Sequence, residues 1–141
     1  MLQLSKRTAY GLYFLKVLAT RPNELVSLRE IAQQEILPYR FLAQIATDLK
    51  KGGYVMSKEG KKGGFSLAKK PEEINLSQII SCLEEPLALV DCQGEVECPK
   101  ASACSIKQVW DRVNTQVDEV FTKFSLADFL EWKFSVLLCW I

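Results

Sequence analysis

Ser27-Leu-Arg-Glu-Ile-Ala-Gln-Gln-Glu-Ile-Leu-Pro38-Tyr-Arg-Phe-Leu-Ala-Gln-Ile-Ala-Thr-Asp-Leu-Lys-Lys-Gly-Gly53 decides the fold. Ser27 and Glu30 form a capping-box pattern. The serine hydroxyl can accept from the Glu30 N–H, and the Glu30 carboxylate can reach back to the Ser27 N–H. A short helix follows with Leu28, Ile31 and Ala32 turned inward. Residues 33–37 hold a turn, and Pro38 suits the first position of a second helix, where its missing N–H costs nothing. That helix runs to Lys51 and stops at Gly52-Gly53, a C-terminal cap signal. Leu42, Ile45, Ala46 and Leu49 form its apolar stripe. Arg40, Ala43, Gln44 and Thr47 form the opposite face, with Tyr39 beside them. Two short helices joined by a tight turn suggest a helix-turn-helix, whose second helix presents its N-terminal residues to base edges in the DNA major groove. Arg and Gln are side chains that read bases there.

Immediately downstream, Tyr54-Val-Met56 and Phe65-Ser-Leu67 are short β-type runs around a Gly- and Lys-bearing tip, Ser57 to Gly64. This pattern predicts a β-hairpin. After a helix-turn-helix it reads as the wing of a winged helix, with Lys58, Lys61 and Lys62 available to phosphates or the minor groove. The tip lacks the glycine spacing and the following helix of a nucleotide-binding P-loop. Upstream, Leu4 to Thr20 reads as a helix whose Tyr10, Tyr13, Phe14, Val17 and Leu18 recur at steps of three and four and face the core.

Beyond Pro71, Ser77 is expected to cap a short helix with Ile79, Ile80 and Leu83 inward, and Cys82 is expected to be buried on it. Then comes Cys92-Gln-Gly-Glu-Val-Glu-Cys98-Pro-Lys-Ala-Ser-Ala-Cys104. Gly94 and Pro99 mark it as a loop. A loop can turn Cys92, Cys98 and Cys104 toward one centre, as a metal or an iron–sulfur cluster requires. Structural zinc prefers tighter cysteine pairs and four ligands, and the chain contains no histidine to complete a site. From Ser105 to Phe124 the apolar residues Ile106, Val109, Trp110, Val113, Val117, Val120 and Phe121 hold helical spacing for five turns. Such a helix is expected to pack along its symmetry mate in a homodimer, which suits an operator with two half-sites. The last stretch, Phe134-Ser-Val-Leu-Leu-Cys-Trp-Ile141, carries no charge. It is too short to span a bilayer and is expected to bury against the dimer or against another protein.

The 141 residues are 48% apolar and 25% charged, an ordinary globular balance. The formal net charge of +1 hides an asymmetry: residues 1–70 carry an excess of eight positive charges, and residues 71–141 an excess of seven negative ones. A basic half next to an acidic one suggests that the first half meets a polyanion. No signal peptide is legible, because Lys6, Arg7 and Lys16 break the first apolar run. No stretch reaches the roughly 20 apolar residues of a membrane span. The expected location is the cytoplasm, where cysteines stay reduced, with no membrane partner. The expected architecture is mainly α with a small β-hairpin wing. Residues 1–75 form a winged helix-turn-helix. Residues 76–141 hold the cysteine loop, a long dimerisation helix and the apolar tail.

These pieces together resemble the Rrf2 family of regulators, which includes iron–sulfur sensors of the IscR, NsrR and RirA types. The resemblance runs from Leu4-Ser-Lys6 and Tyr10-Gly-Leu12 through the wing to Phe124-Ser-Leu-Ala-Asp128, and the three-cysteine loop followed by a long helix with Trp110 is its most specific part. It implies a homodimeric winged-helix transcription factor whose affinity for a double-stranded DNA operator follows the state of a [2Fe–2S] or [4Fe–4S] cluster on Cys92, Cys98 and Cys104. It also implies a DNA surface of Ser27, Arg29, Pro38, Tyr39, Arg40, Gln44, Lys58, Lys61 and Lys62. The sequence departs from the family pattern in three places. IscR-like members carry a ligand histidine where this chain has Lys107. NsrR-like members carry a ligand aspartate where it has Ala9, beside Thr8, and RirA-like members lack both. In the wing, an arginine of IscR is replaced by Glu59. Two other readings remain open: a clusterless regulator switched by a disulfide between loop cysteines, and a regulatory subunit that docks a metabolic enzyme. Catalysis is not expected, since there is no histidine, nucleophile elbow or phosphate loop.

Overall fold

A computed structural model describes residues 4–84 and 104–131. Cys92, Cys98 and the apolar tail lie outside the described residues. The elements run α1 (Lys6–Thr20), α2 (Leu28–Gln34), α3 (Tyr39–Lys51), β1 (Val55–Lys58), β2 (Gly64–Leu67), a single 3-10 turn (Pro71–Glu73), α4 (Leu76–Leu83), α5 (Ser105–Lys123) and α6 (Leu126–Glu131). This is the winged helix expected from the sequence: helices around one small antiparallel hairpin.

The core forms where α1, α2, α3 and α4 converge. Phe14, Leu15 and Leu18 of α1, Ile31 of α2, Leu42, Ile45 and Leu49 of α3, Ile79 of α4 and Leu126 of α6 are all essentially inaccessible. Full burial of such a side chain is worth about 1.5–3 kcal/mol, so each helix is held mainly by its apolar face. α1 is more apolar around its circumference than the other helices, and here the expected face was partly misplaced. Tyr13 is 45% exposed, and Gly11 and Leu15 take the core instead. Gly11 lets α4 approach closely, since a Cβ there would collide with Leu83.

Local signals explain most boundaries. Ser27 Oγ accepts from the Glu30 N–H at 3.2 Å. The reciprocal half of the expected box is absent, because the Glu30 carboxylate pairs with Arg21 at the end of α1. Pro38 is the N-cap of α3, one position before the expected one, and its carbonyl accepts from Leu42 N–H at 3.0 Å. Gly52 caps the C-terminus of α3, and Gly53 follows at φ +75°, a conformation glycine adopts without steric cost. The cap of α4 is Asn75, not Ser77. The Asn75 side chain accepts from Gln78 N–H at 2.9 Å, and Gln78 reaches back to the Asn75 N–H at 3.3 Å.

The hairpin pairs Val55 with Leu67, Met56 with Ser66, Ser57 with Phe65 and Lys58 with Gly64. It is anchored to the body twice. Val26 and Phe65 exchange two backbone hydrogen bonds, of 3.0 and 2.8 Å, and the Phe65 ring meets Phe14 edge-on at 5.6 Å. Gly64 is required at this junction, because a Cβ would lie 2.7 Å from the Val26 carbonyl oxygen. α5 lies against α4, with a hydrogen bond from the Ser77 hydroxyl to the Asp118 carboxylate. The chain then returns to the start of α4, where Leu76 N–H donates to Phe124 O and Leu126 N–H to Ile74 O.

Candidate nucleic-acid interface and cysteine-bearing helix

Every residue expected on the DNA surface is exposed. Ser27 and Arg29 open α2, Pro38, Tyr39, Arg40 and Gln44 occupy the first half of α3, and Lys58, Lys61 and Lys62 lie at and around the hairpin tip. The reason is the amphipathic sequence of α3. With Leu42, Ile45, Ala46 and Leu49 committed to the core, residues at steps of three and four from Arg40 must face outward. The outer face therefore reads Arg40, half-exposed Ala43, Gln44 and Thr47, and ends at Lys51 one turn further on. Lys51 was not singled out from sequence, although its i+4 relation to Thr47 is legible there.

An ion pair and a ring contact with α1 add to the apolar seating of this helix. Arg7 of α1 binds the Asp48 carboxylate on the inner flank of α3, and Tyr10 of α1 meets Phe41 of α3 edge-on at 5.6 Å. Asp48 is the one acidic residue of α3, and that oddity was the available signal. Cys82 of α4 completes the contact, its Sγ lying 3.4 Å from the Asp48 carbonyl oxygen. Burial pushes the Cys82 thiol up, the Asp48 carboxylate adds to this, and Arg7 partly opposes it. Cys82 is half-buried, where the sequence led to an expectation of full burial, and a thiol held protonated is a poor nucleophile and a poor ligand.

The end of α4 is tied to the start of α1. Glu84, the last described residue before the cysteine loop, accepts from Ser5 N–H at 2.8 Å and from the Thr8 hydroxyl at 2.5 Å. Burial pushes the Glu84 carboxyl up, but the bonds from Thr8 and Ser5 outweigh it and hold the group below its ordinary 4.5. Thr8 is fully buried.

Cys104 is the N-cap of α5 and is half-buried. It sits where the first backbone N–H groups of a helix lack intrahelical partners. Lys107, one turn on, is bound to Asp111 at 2.9 Å. Among the described residues, no group of three or more Cys, Asp or Glu side chains converges as a metal site. Along α5, Trp110, Val113, Val117 and Phe121 are half-buried within the chain, whereas Ile106 is 65% and Val109 60% exposed, and Val120 is also exposed. One edge of the expected stripe is therefore already partly covered and the other is open.

The sequence profile described as Rrf2, iron-dependent transcriptional regulator, matches residues 4–131. The chain belongs to the Rrf2 family. It is 31% identical over 131 residues to the protein rrf2 of Nitratidesulfovibrio vulgaris, covering 92% of this chain and 87% of that protein. It is 33% identical over 132 residues to the transcriptional regulator NsrR of Bacillus licheniformis, covering 92% of each. Among solved structures, CymR, the global cysteine regulator of B. subtilis, superposes with a TM-score of 0.75 at 30% identity, covering 94% of this chain and 98% of that one. IscR of T. potens superposes with a TM-score of 0.73 at 31% identity, over 92% and 87%. This Rrf2-family chain is thus a DNA-binding winged-helix transcription regulator rather than an enzyme. Among the described residues no helix is long and apolar enough to cross a membrane.

Proposed function

We propose that this Rrf2-family protein binds its operator as a homodimer, and that an iron–sulfur cluster on Cys92, Cys98 and Cys104 sets its affinity. The observation that carries the reading is the exposed Arg40–Gln44 face of α3 on a helix whose opposite side is fully committed to the core. Arg40 and Gln44 would donate to base edges in the major groove, and Lys51, Lys58, Lys61 and Lys62 would neutralise phosphates. Residues 1–75 serve as the reading head. Residues 76–141 sense and dimerise, with Ile106, Val109 and Val120 meeting the second copy.

Three thiolates would hold the cluster, and the bound cluster would supply a redox-active iron centre. Neither position at which the resemblance finds a fourth ligand offers one. The Lys107 ammonium is held by Asp111, and Ala9 has no donor, while its neighbour Thr8 is bonded to Glu84. Loss of the group would release the segment that joins Glu84, bonded to α1, to Cys104 at the head of α5. Glu84 bonds to α1, on which α3 is seated, and Cys82 touches α3 itself, which gives the segment a route to the reading head. The test is operator binding by anaerobically purified protein. Binding that survives the combined Arg40→Ala and Gln44→Ala change removes α3 as reader, and a colourless protein without iron or sulfide removes the cluster.

A second reading is favoured by the likeness to an oxidised form of S. aureus CymR, with a TM-score of 0.71 at 30% identity. In it, two loop thiols lose two protons and two electrons to an oxidant and join as a disulfide. Oxidant-dependent DNA binding by a colourless protein supports this form.

A further inference from the structure

The outer face of α3 carries two methyl groups beside its two polar side chains. The Thr47 hydroxyl donates to the Ala43 carbonyl oxygen at 2.9 Å, one turn earlier on the same helix. That bond draws Oγ1 back against the backbone and fixes the side chain. Thr47 is exposed, so the group it offers outward is its methyl. Ala43, four residues before it and half-exposed, offers another. Side chains at i and i+4 stand about 5–6 Å apart, which lies between one and two steps of about 3.4 Å along a DNA strand. The nine positions from Tyr39 to Thr47 rise about 12 Å along the helix, close to the width of the major groove of about 12 Å. The face is thus long enough for the second turn and the start of the third to reach bases as well as the first.

We propose that Ala43 and Thr47 read the 5-methyl groups of thymines at two neighbouring operator positions, flanking bases bonded by Arg40 and Gln44. The major groove presents this methyl on thymine alone, and small apolar side chains are the groups that detect it. The inference rests on α3 being the reading helix, and it names the bases that helix would select.

The probe is a duplex that the full-length protein selects from random DNA. Each thymine of a half-site is replaced in turn by deoxyuridine, which removes only the methyl. Wild-type protein should lose about fourfold in affinity at each of two positions, the worth of about one buried methylene. Thr47→Val keeps the methyl and removes the hydroxyl, so it should keep the sensitivity to deoxyuridine. Thr47→Ser keeps the hydroxyl and should lose the sensitivity at one position, and Ala43→Gly at the other. Full sensitivity in Thr47→Ser with none in Thr47→Val would overturn the proposal, since the hydroxyl would then be the reader. Indifference of the wild type to deoxyuridine, with selective binding still lost in Arg40→Ala, overturns the methyl contacts and leaves α3 as reader. Selective binding that persists without Arg40 and Gln44 removes α3 itself.

Discussion

Ile36 sits in the turn between α2 and α3 at φ +54°, with 90% of its surface exposed. A β-branched residue is a genuine outlier in this region, because its Cβ crowds the following carbonyl at a cost of about 1–2 kcal/mol. The exposed side chain recovers almost nothing by burial. Asn tolerates this conformation, since its short polar side chain can bond locally. Ile36→Asn should therefore stabilise the fold by about 1 kcal/mol. An unfolding entropy of about 0.3 kcal/mol per kelvin, scaled from 2.1 cal/mol/K per residue, converts this to a rise of roughly 3 °C in Tm. Ile36→Gly should gain less, because glycine also loosens the unfolded chain. Ile36→Val keeps the β-branch and should change little. Calorimetry on the three variants checks the order Asn above Gly above Val. A stability unchanged or lowered in Ile36→Asn would refute the reasoning, and would mean that the turn is not strained at this residue.

Removing one wing lysine, Lys61→Ala, should weaken binding to all duplexes alike and reduce the slope of log affinity against log salt by about 1, measured by a salt titration. Val109→Asp places a charge on the open edge of α5, where the single chain already exposes the valine. It should leave the fold intact by circular dichroism and yield monomers by sedimentation. The Glu84 carboxyl has its folded value below 4.5, so its contribution to stability is fully present above about pH 4.5 and is lost as the pH falls through the folded value. Glu84→Gln should therefore flatten the acid limb of a stability–pH curve, and an unchanged limb would show that the Ser5 and Thr8 bonds do not act through the charge.

The sequence made α2, α3 and the wing legible because each is bounded by residues with one dominant physical role: Ser27 as the cap of α2, Gly52 and Gly53 as the stop of α3, and two short β-type runs around a glycine-rich tip. It was less informative where several residues could fill a role. Asn75 and Ser77 are both good caps, and the signal that separates them is Gln78, which completes a capping box with Asn75, whereas Ile80 stands at the matching place after Ser77. The face of α1 was blurred because Tyr10, Leu12 and Tyr13 add further apolar residues beside the buried Gly11, Phe14, Leu15 and Leu18. Tertiary contacts were beyond reach: Arg7 and Asp48 are 41 residues apart, and Glu84 reaches Thr8 across 76. On α5 the period was plain, but a period does not say which edge faces α4 and which is left open.

Cluster control of DNA binding is tested most directly by the operator affinity of one anaerobic preparation, measured before and after its iron and sulfide are removed by a chelator. The intact protein is expected to carry the cluster, and its removal to shift the dissociation constant at least tenfold, about 1.4 kcal/mol of coupling. Cys92→Ala, Cys98→Ala and Cys104→Ala should each hold the protein at the stripped value, while Cys82→Ala should not. Equal affinities in the two states would contradict control of DNA binding by the cluster.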